Sequence, residues 1–143
     1  MARNKPRKTA KGSTGKNKNL SQDYMAKYGN KAGVLETNSG LMYRIIDDAE
    51  GASPTEFDKV KLHQRIWLAD GSVIDDTYKS GFAEEFSVSE AIEGLQEGLQ
   101  MMPLGARYEF VIPAELAWGR KGNGSKIGPN AVMIMDVRLL EIR

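Results

Sequence analysis

The chain has 143 residues, of which 41% are hydrophobic and 27% are charged, so it can bury a core of its own. It contains no cysteine, which excludes disulfides, thiol nucleophiles and thiolate metal sites. No apolar run reaches the roughly 18 residues of a membrane-spanning helix. The basic N-terminus also lacks the apolar stretch of a secretory signal, so we expect a cytoplasmic protein without membrane contact.

The net charge of +1 conceals a strong asymmetry along the chain. Residues 1–19 hold seven Lys and Arg and no acidic residue, whereas the remainder holds 13 basic and 19 acidic residues, a net charge of −6. Residues 1–19 also lack apolar periodicity, which predicts a disordered basic arm. Such an arm favours weak contact with nucleic acid or the ribosome. A solubilising tail is the alternative interpretation, because no aromatic side chain is interleaved for base stacking.

Residues 20–37 are predicted to form a short helix and a linker. Ser21 is a suitable N-cap and Gly29 a suitable stop. The apolar segment 41–46 follows and is predicted to be the first strand of the main domain.

Residues 57–69 alternate between an apolar and a polar face, as a half-buried strand does. The apolar face comprises Val60, Leu62, Gln64, Ile66 and Leu68. Gln64 is therefore directed towards the core, where its amide needs a hydrogen-bond partner or a ligand. Asp70-Gly71 predicts a tight turn, after which residues 72–75 return as the second strand of a hairpin.

One helix of the main domain is predicted by the helical spacing of four apolar residues, Ile92, Leu95, Leu99 and Met102. Gly94 and Gly98 leave one face of this helix thin enough to pack closely on a sheet. Ser87 and Glu90 have the spacing of a capping box at its start.

The C-terminal part consists of two predicted strands, 106–112 and 131–142, which bracket a glycine-rich loop at 119–129. Gly119 and Gly124 have the spacing of a phosphate-binding loop. That interpretation fails because Ser125 precedes Lys126, the reverse of the required order, and because a strand follows where a helix is needed.

Several segments together carry a family resemblance. They are 39–44, 60–63, 70–75, 93–99, 103–107, 113–119, 126–130 and 136–140. In order and spacing they resemble FKBP-type peptidyl-prolyl isomerases over about residues 38–143. The resemblance implies an α+β fold, in which a twisted, half-open antiparallel β-sheet wraps around one short α-helix, with a pocket between them. It also implies catalysis of cis–trans isomerisation at X-Pro bonds of proteins, which assists folding.

The residues agree with a reaction that needs no cofactor and no metal. The twisted transition state of an X-Pro bond loses amide resonance, so an apolar pocket and a hydrogen-bond donor suffice. The chain's single histidine, His63, falls on the polar face of its strand, and no His or Cys cluster suggests a metal site.

Three residues match catalytic positions of the family. Asp75 corresponds to an acidic residue at the pocket rim, although a helix cap or a surface ion pair would also explain it. Trp118 stands where Tyr is usual, and its indole N–H can still donate. Ile127 matches the loop residue whose backbone amide meets the substrate carbonyl.

The remaining matches are substrate-binding positions, and most depart from the family. Phe86 and Ile92 match pocket walls, although both would also suit an ordinary core. Gln64 replaces Tyr, Ile74 and Met135 replace Phe, Leu95 replaces the Trp of the pocket floor, and Ala91 replaces a Val-like residue.

Of the aromatic positions that the family implies, only Phe86 and Trp118 are rings here, so we expect reduced activity. A non-catalytic module or chaperone that binds prolyl or apolar segments is the alternative. Related proteins with a long N-terminal helix dimerise through it; the segment here is shorter, so we expect a monomer.

Overall fold

The computed structural model describes the backbone of residues 14–143 and the side chains of residues 16–143. The disorder predicted for residues 1–13 lies outside this range. The helices are α1 (Thr14–Gly29), α2 (Thr77–Ser80) and α3 (Glu93–Met101), with 3₁₀ turns at Val88–Glu90 and Ala114–Leu116. The strands are β1 (Leu35–Glu36), β2 (Met42–Asp47), β3 (Lys59–Leu68), β4 (Val73–Asp76), β5 (Glu84–Ser87), β6 (Arg107–Ile112) and β7 (Met133–Ile142).

A single antiparallel sheet organises the described chain. Its strand order is β1-β2-β6-β7-β3-β4, and β5 pairs with the first half of β3. The ten-residue strands β3 and β7 pair along almost their whole length. The predicted α+β class and antiparallel sheet are confirmed.

The alternation predicted for β3 places its apolar set in the main core. Val60, Leu62 and Leu68 are buried there, and Gln64 is buried beside them. Tyr108 and Phe110 of β6 are buried in the same core. This face of the sheet is therefore the one that α3 covers.

Helix α3 lies close to the sheet because two of its residues lack side chains. A Cβ atom on Gly98 would lie 2.6 Å from Cε1 of Phe110, and Gly94 lies equally tightly against Ile112. The predicted role of these glycines is confirmed. The capping box forms, with Ser87 N–H donating to Glu90 Oε1 at 3.2 Å, but it closes the 3₁₀ turn Val88–Glu90 and not α3. Helix α3 begins three residues after the end of this turn, at Glu93.

Helix α1 covers the opposite face of the sheet. It contributes Tyr28 to a second core that contains Met42, Val111, Val132 and Ile134. The Tyr28 hydroxyl donates to Glu109 Oε1 at 3.0 Å. Among the described residues, no helix combines the length and hydrophobicity that a bilayer span requires.

The predicted start of this helix is wrong, although its end at Gly29 is confirmed. The helix begins at Thr14, so the predicted boundary between residues 19 and 20 falls inside it, and residues 14–19 are helical. Tertiary contacts explain the earlier start of the helix. Asn17 and Ser21 are buried against a loop more than 100 residues away, and these contacts offset the entropy of ordering a polar segment.

Candidate active site

A pocket of about 340 Å³ opens between the start of α3 and the centre of the sheet. Its walls come from β3, β5, β7, the 88–92 turn and the segment before the glycine-rich loop. The lining residues are Gln64, Ile66, Phe86, Glu90, Ala91, Ile92, Leu95, Trp118, Met133 and Met135. The surface is therefore mostly apolar, as a site that holds a proline ring requires.

Seven of the ten predicted site residues line this pocket: Gln64, Phe86, Ala91, Ile92, Leu95, Trp118 and Met135. Leu95 is buried on the face of α3 that meets the sheet, where a floor residue should be. Three predicted residues, Asp75, Ile74 and Ile127, lie outside the lining.

Sequence reasoning missed three lining residues. Ile66 and Met133 stand two positions from Gln64 and Met135 on the same strands, so strand alternation places them on the same face. That signal was present in the sequence. No sequence periodicity predicts that Glu90 lines the pocket. Its position is set by the 3₁₀ turn Val88–Glu90, which its own carboxylate caps.

The buried Gln64 side chain has a hydrogen-bond partner. Its side-chain Nε2 donates to Asp75 Oδ2 at 3.3 Å, and its backbone N–H donates to Thr77 Oγ1 at 2.7 Å. Asp75 Oδ1 in turn accepts the Asp76 N–H at 2.9 Å. Asp75 therefore reaches the pocket wall through Gln64 and not by direct contact.

Trp118 stands at the mouth of the pocket, with 40% of its surface exposed. It follows the 3₁₀ turn Ala114–Leu116, which is secured by the Gly119 N–H donating to the Ala114 carbonyl at 2.8 Å. Within residues 14–143, no hydrogen bond engages the Trp118 indole N–H. That donor is available to a carbonyl of a bound peptide.

The backbone amide of Ile127 is already engaged. It donates to the Asn123 carbonyl at 3.3 Å, while the Asn123 N–H donates to the Ile127 carbonyl at 2.7 Å. The Ile127 side chain is buried in the main core. The 3.3 Å bond is slightly longer than the usual range of about 2.7–3.2 Å, so a substrate carbonyl at Ile127 would have to displace or share a weak bond.

Ile74 of β4 is half-buried and packs against the main core from outside the pocket lining. His63 lies on the outer face of β3, where its Nδ1 is 3.0 Å from Thr77 Oγ1 and its ring stacks on Tyr78. The sole histidine is thus outside the pocket. Across the part of the chain that the structure describes, no group of three or more His, Cys, Asp or Glu residues is arranged to hold a metal ion.

The geometry agrees with the matches to known proteins. Residues 50–140 match the family described as FKBP-type peptidyl-prolyl cis-trans isomerase. Residues 1–45 match the domain that lies amino-terminal to such isomerases. The chain belongs to the FKBP-type peptidyl-prolyl cis–trans isomerase family.

Curated relatives span more sequence than this chain. The FKBP-type 22 kDa peptidyl-prolyl cis-trans isomerase of Escherichia coli K12 is 41% identical over 119 residues, which are 83% of this chain and 58% of that protein. The outer membrane protein MIP of Legionella longbeachae is 38% identical over 127 residues, covering 89% and 54% respectively. The chain therefore spans about half the length of these relatives.

Solved structures show the same fold. FkpA from Escherichia coli superposes with a TM-score of 0.87 at 31% identity, covering 91% of this chain and 61% of that one. A peptidyl-prolyl cis-trans isomerase from Pseudomonas syringae superposes with a TM-score of 0.83 at 26% identity, covering 92% and 97%.

Proposed function

We propose that this chain catalyses cis–trans isomerisation of X-Pro bonds in polypeptides and so assists their folding. One observation carries the proposal: the apolar pocket floored by Leu95 has an unengaged hydrogen-bond donor, the Trp118 indole, at its mouth.

The chemistry follows from the amide resonance that the X-Pro bond loses when it rotates. Rotation about a peptide bond crosses a barrier of roughly 18–20 kcal/mol, because the planar amide is stabilised by resonance. The planar form has more charge separation than the twisted form, so an apolar environment disfavours it relative to the twisted form. A donor to a neighbouring carbonyl, whose own peptide bond does not rotate, holds the peptide in place without stabilising the planar form of the X-Pro bond.

Each part of the pocket has a role in this scheme. Phe86, Ile92 and Leu95 hold the proline ring and exclude water. Gln64, fixed by Asp75, places a polar edge where the peptide enters. Trp118 donates to a carbonyl of the substrate, and Ile127 can contribute its amide once the bond to Asn123 is released.

The same walls set the expected efficiency. Aliphatic and thioether side chains, Ile66, Leu95, Met133 and Met135, form much of the surface, and they lack the flat faces that stack on proline. Each lost ring contact is worth about 0.5–1.5 kcal/mol. Two or three such losses lower the efficiency by roughly ten- to a thousandfold.

An isomerisation assay on a short X-Pro peptide tests the proposal. The protein should accelerate the exchange, and Trp118→Ala should reduce kcat/KM about tenfold or more, since it removes both a ring and a donor. Phe57→Ala is the control, because Phe57 is 89% exposed and lies outside the pocket lining. Equal losses in the two variants would contradict the site assignment.

The aliphatic walls also favour a second function, a binding or chaperone module that holds prolyl or apolar segments without catalysis. In that case the peptide would bind in the pocket while its isomerisation rate stayed at the uncatalysed value. Measuring affinity and rate on one peptide separates the two functions.

We also propose a weak, salt-sensitive contact between residues 1–19 and nucleic acid or the ribosome, supported by their seven basic residues. The affinity for RNA should fall steeply as salt rises, and it should weaken further when Lys8 and Lys11 are changed to Gln. Affinity independent of both changes would contradict this contact. The monomeric state and the cytoplasmic location stay predictions.

A further inference from the structure

Two polar side chains of α1 are buried where α1 meets the glycine-rich loop. Asn17 is 8% exposed and Ser21 is 6% exposed, one turn apart on the same face of the helix. Buried polar groups destabilise a fold unless they are hydrogen-bonded. The position of their hydrogen-bond partners therefore indicates the role of this face of α1.

All of these partners lie at the point where the loop rejoins the sheet. Asn17 Nδ2 donates to the Pro129 carbonyl at 3.0 Å. Ser21 Oγ donates to the Asn130 carbonyl at 2.8 Å and accepts the Val132 N–H at 2.9 Å. Two side chains of α1 thus satisfy three backbone groups within four residues of the loop exit.

The loop exit is bonded to the loop entrance beside Trp118. The Asn130 N–H donates to the Gly119 carbonyl at 2.8 Å, and Gly119 directly follows Trp118. Asn130 has a left-handed backbone, with φ of 56°, which only a minority of residue types adopt readily. We call this closed junction, Gly119 with Pro129–Val132, the loop neck.

The packing of the second half of α1 does not require these contacts. Tyr28 already buries the second half of the helix in an apolar core with Met42, Val111 and Ile134. The polar contacts fix one loop conformation, because side-chain hydrogen bonds are directional and apolar packing is not.

We propose that Asn17 and Ser21 are positioning residues of the isomerase site: by holding the loop neck, they pre-organise Trp118 and Ile127 for the substrate. This inference rests on the proposed function. It assigns the segment before the isomerase domain a part in catalysis, in addition to its packing on the outer face of the sheet. Neither side chain lines the pocket, so both act through the loop.

Three variants and one matched control test the assignment. Asn17→Ala and Ser21→Ala remove the bonds. Asn17→Asp keeps the size of the side chain but directs a carboxylate at the Pro129 carbonyl. Asn19→Ala is the control, because Asn19 is exposed on the same helix and, among the described residues, makes no hydrogen bond to the loop neck.

Amide hydrogen exchange and steady-state kinetics are read on the full chain. Exchange at Asn130 and Ile127 should accelerate about two- to tenfold in the three variants, the factor that corresponds to one net hydrogen bond. Exchange at Phe110 in the sheet should be unchanged. The kcat should fall by a similar factor with little change in KM, since the loop is ordered for the transition state.

The assignment is overturned if folded variants match Asn19→Ala in both loop exchange and kcat. It is also overturned if exchange rises equally at Phe110, because that pattern indicates general destabilisation. If Ser21→Ala does not fold, Asn17→Asp still decides the question. Absence of isomerase activity in the unaltered protein would refute the proposed function, whereas the exchange comparison would still show whether the two side chains hold the loop.

Discussion

The substitution Leu95→Trp tests whether the pocket floor limits catalysis. Leu95 lies on the sheet-facing side of α3 and borders a cavity of about 340 Å³, so an indole can extend into open space instead of into the core. The added ring contact with proline is worth about 0.5–1.5 kcal/mol. If that contact is made fully in the transition state, kcat/KM rises about two- to tenfold.

The competing effect is overpacking, which costs about 1–3 kcal/mol of stability where a larger side chain does not fit. Leu99→Trp is the matched control: Leu99 is fully buried one turn further along α3, outside the pocket lining. It should lose stability without any gain in rate. Thermal midpoint and isomerase rate are measured on the same samples. A stable Leu95→Trp protein with an unchanged rate would show that the pocket floor does not limit catalysis. The wall residue Gln64 would then be the next position to test.

Trp118→Phe keeps a ring but removes the donor, so kcat/KM should fall about tenfold while the thermal midpoint stays within a few degrees; an unchanged rate would show that packing alone matters. Gly98→Ala should lower the free energy of unfolding by about 1–3 kcal/mol, because its Cβ would lie 2.6 Å from the Phe110 ring; a denaturant titration measures this, and a neutral result would mean that α3 moves away freely. Tyr28→Phe should flatten the loss of stability in alkali. Burial and the Glu109 carboxylate raise the pKa of Tyr28 above its ordinary value of 10.0, so the unfolded chain ionises first and stability falls above pH 10, by up to about 1.4 kcal/mol per pH unit. Identical alkaline profiles for the two proteins would contradict that burial.

Strand alternation and helical spacing predicted the parts of the site that depend on local periodicity. The face of β3 that carries Gln64 and the face of α3 that carries Leu95 are where the patterns place them. The same alternation also places Ile66 on the Gln64 face, although this position is not among those that the family resemblance implies.

Long-range partners explain what sequence reasoning could not predict. The start of α1 depends on Asn17 reaching the Pro129 carbonyl, 112 residues further along the chain, and no local propensity encodes that contact. The engagement of the Ile127 amide depends on a bridge to Asn123 formed inside a loop rich in glycine. Loop hydrogen bonds of this kind follow from backbone angles that periodicity does not specify.

The most direct test of the proline pocket is a titration of the isotope-labelled protein with an X-Pro peptide, in which resonance shifts and the cis–trans exchange rate of the peptide are recorded together. We predict shifts at Phe86, Ile92 and Trp118 that saturate while the exchange rate of the peptide rises in proportion to the protein added. Saturating shifts at these residues with no change in the exchange rate would contradict catalysis, and accelerated exchange with shifts confined to other surfaces would contradict this pocket.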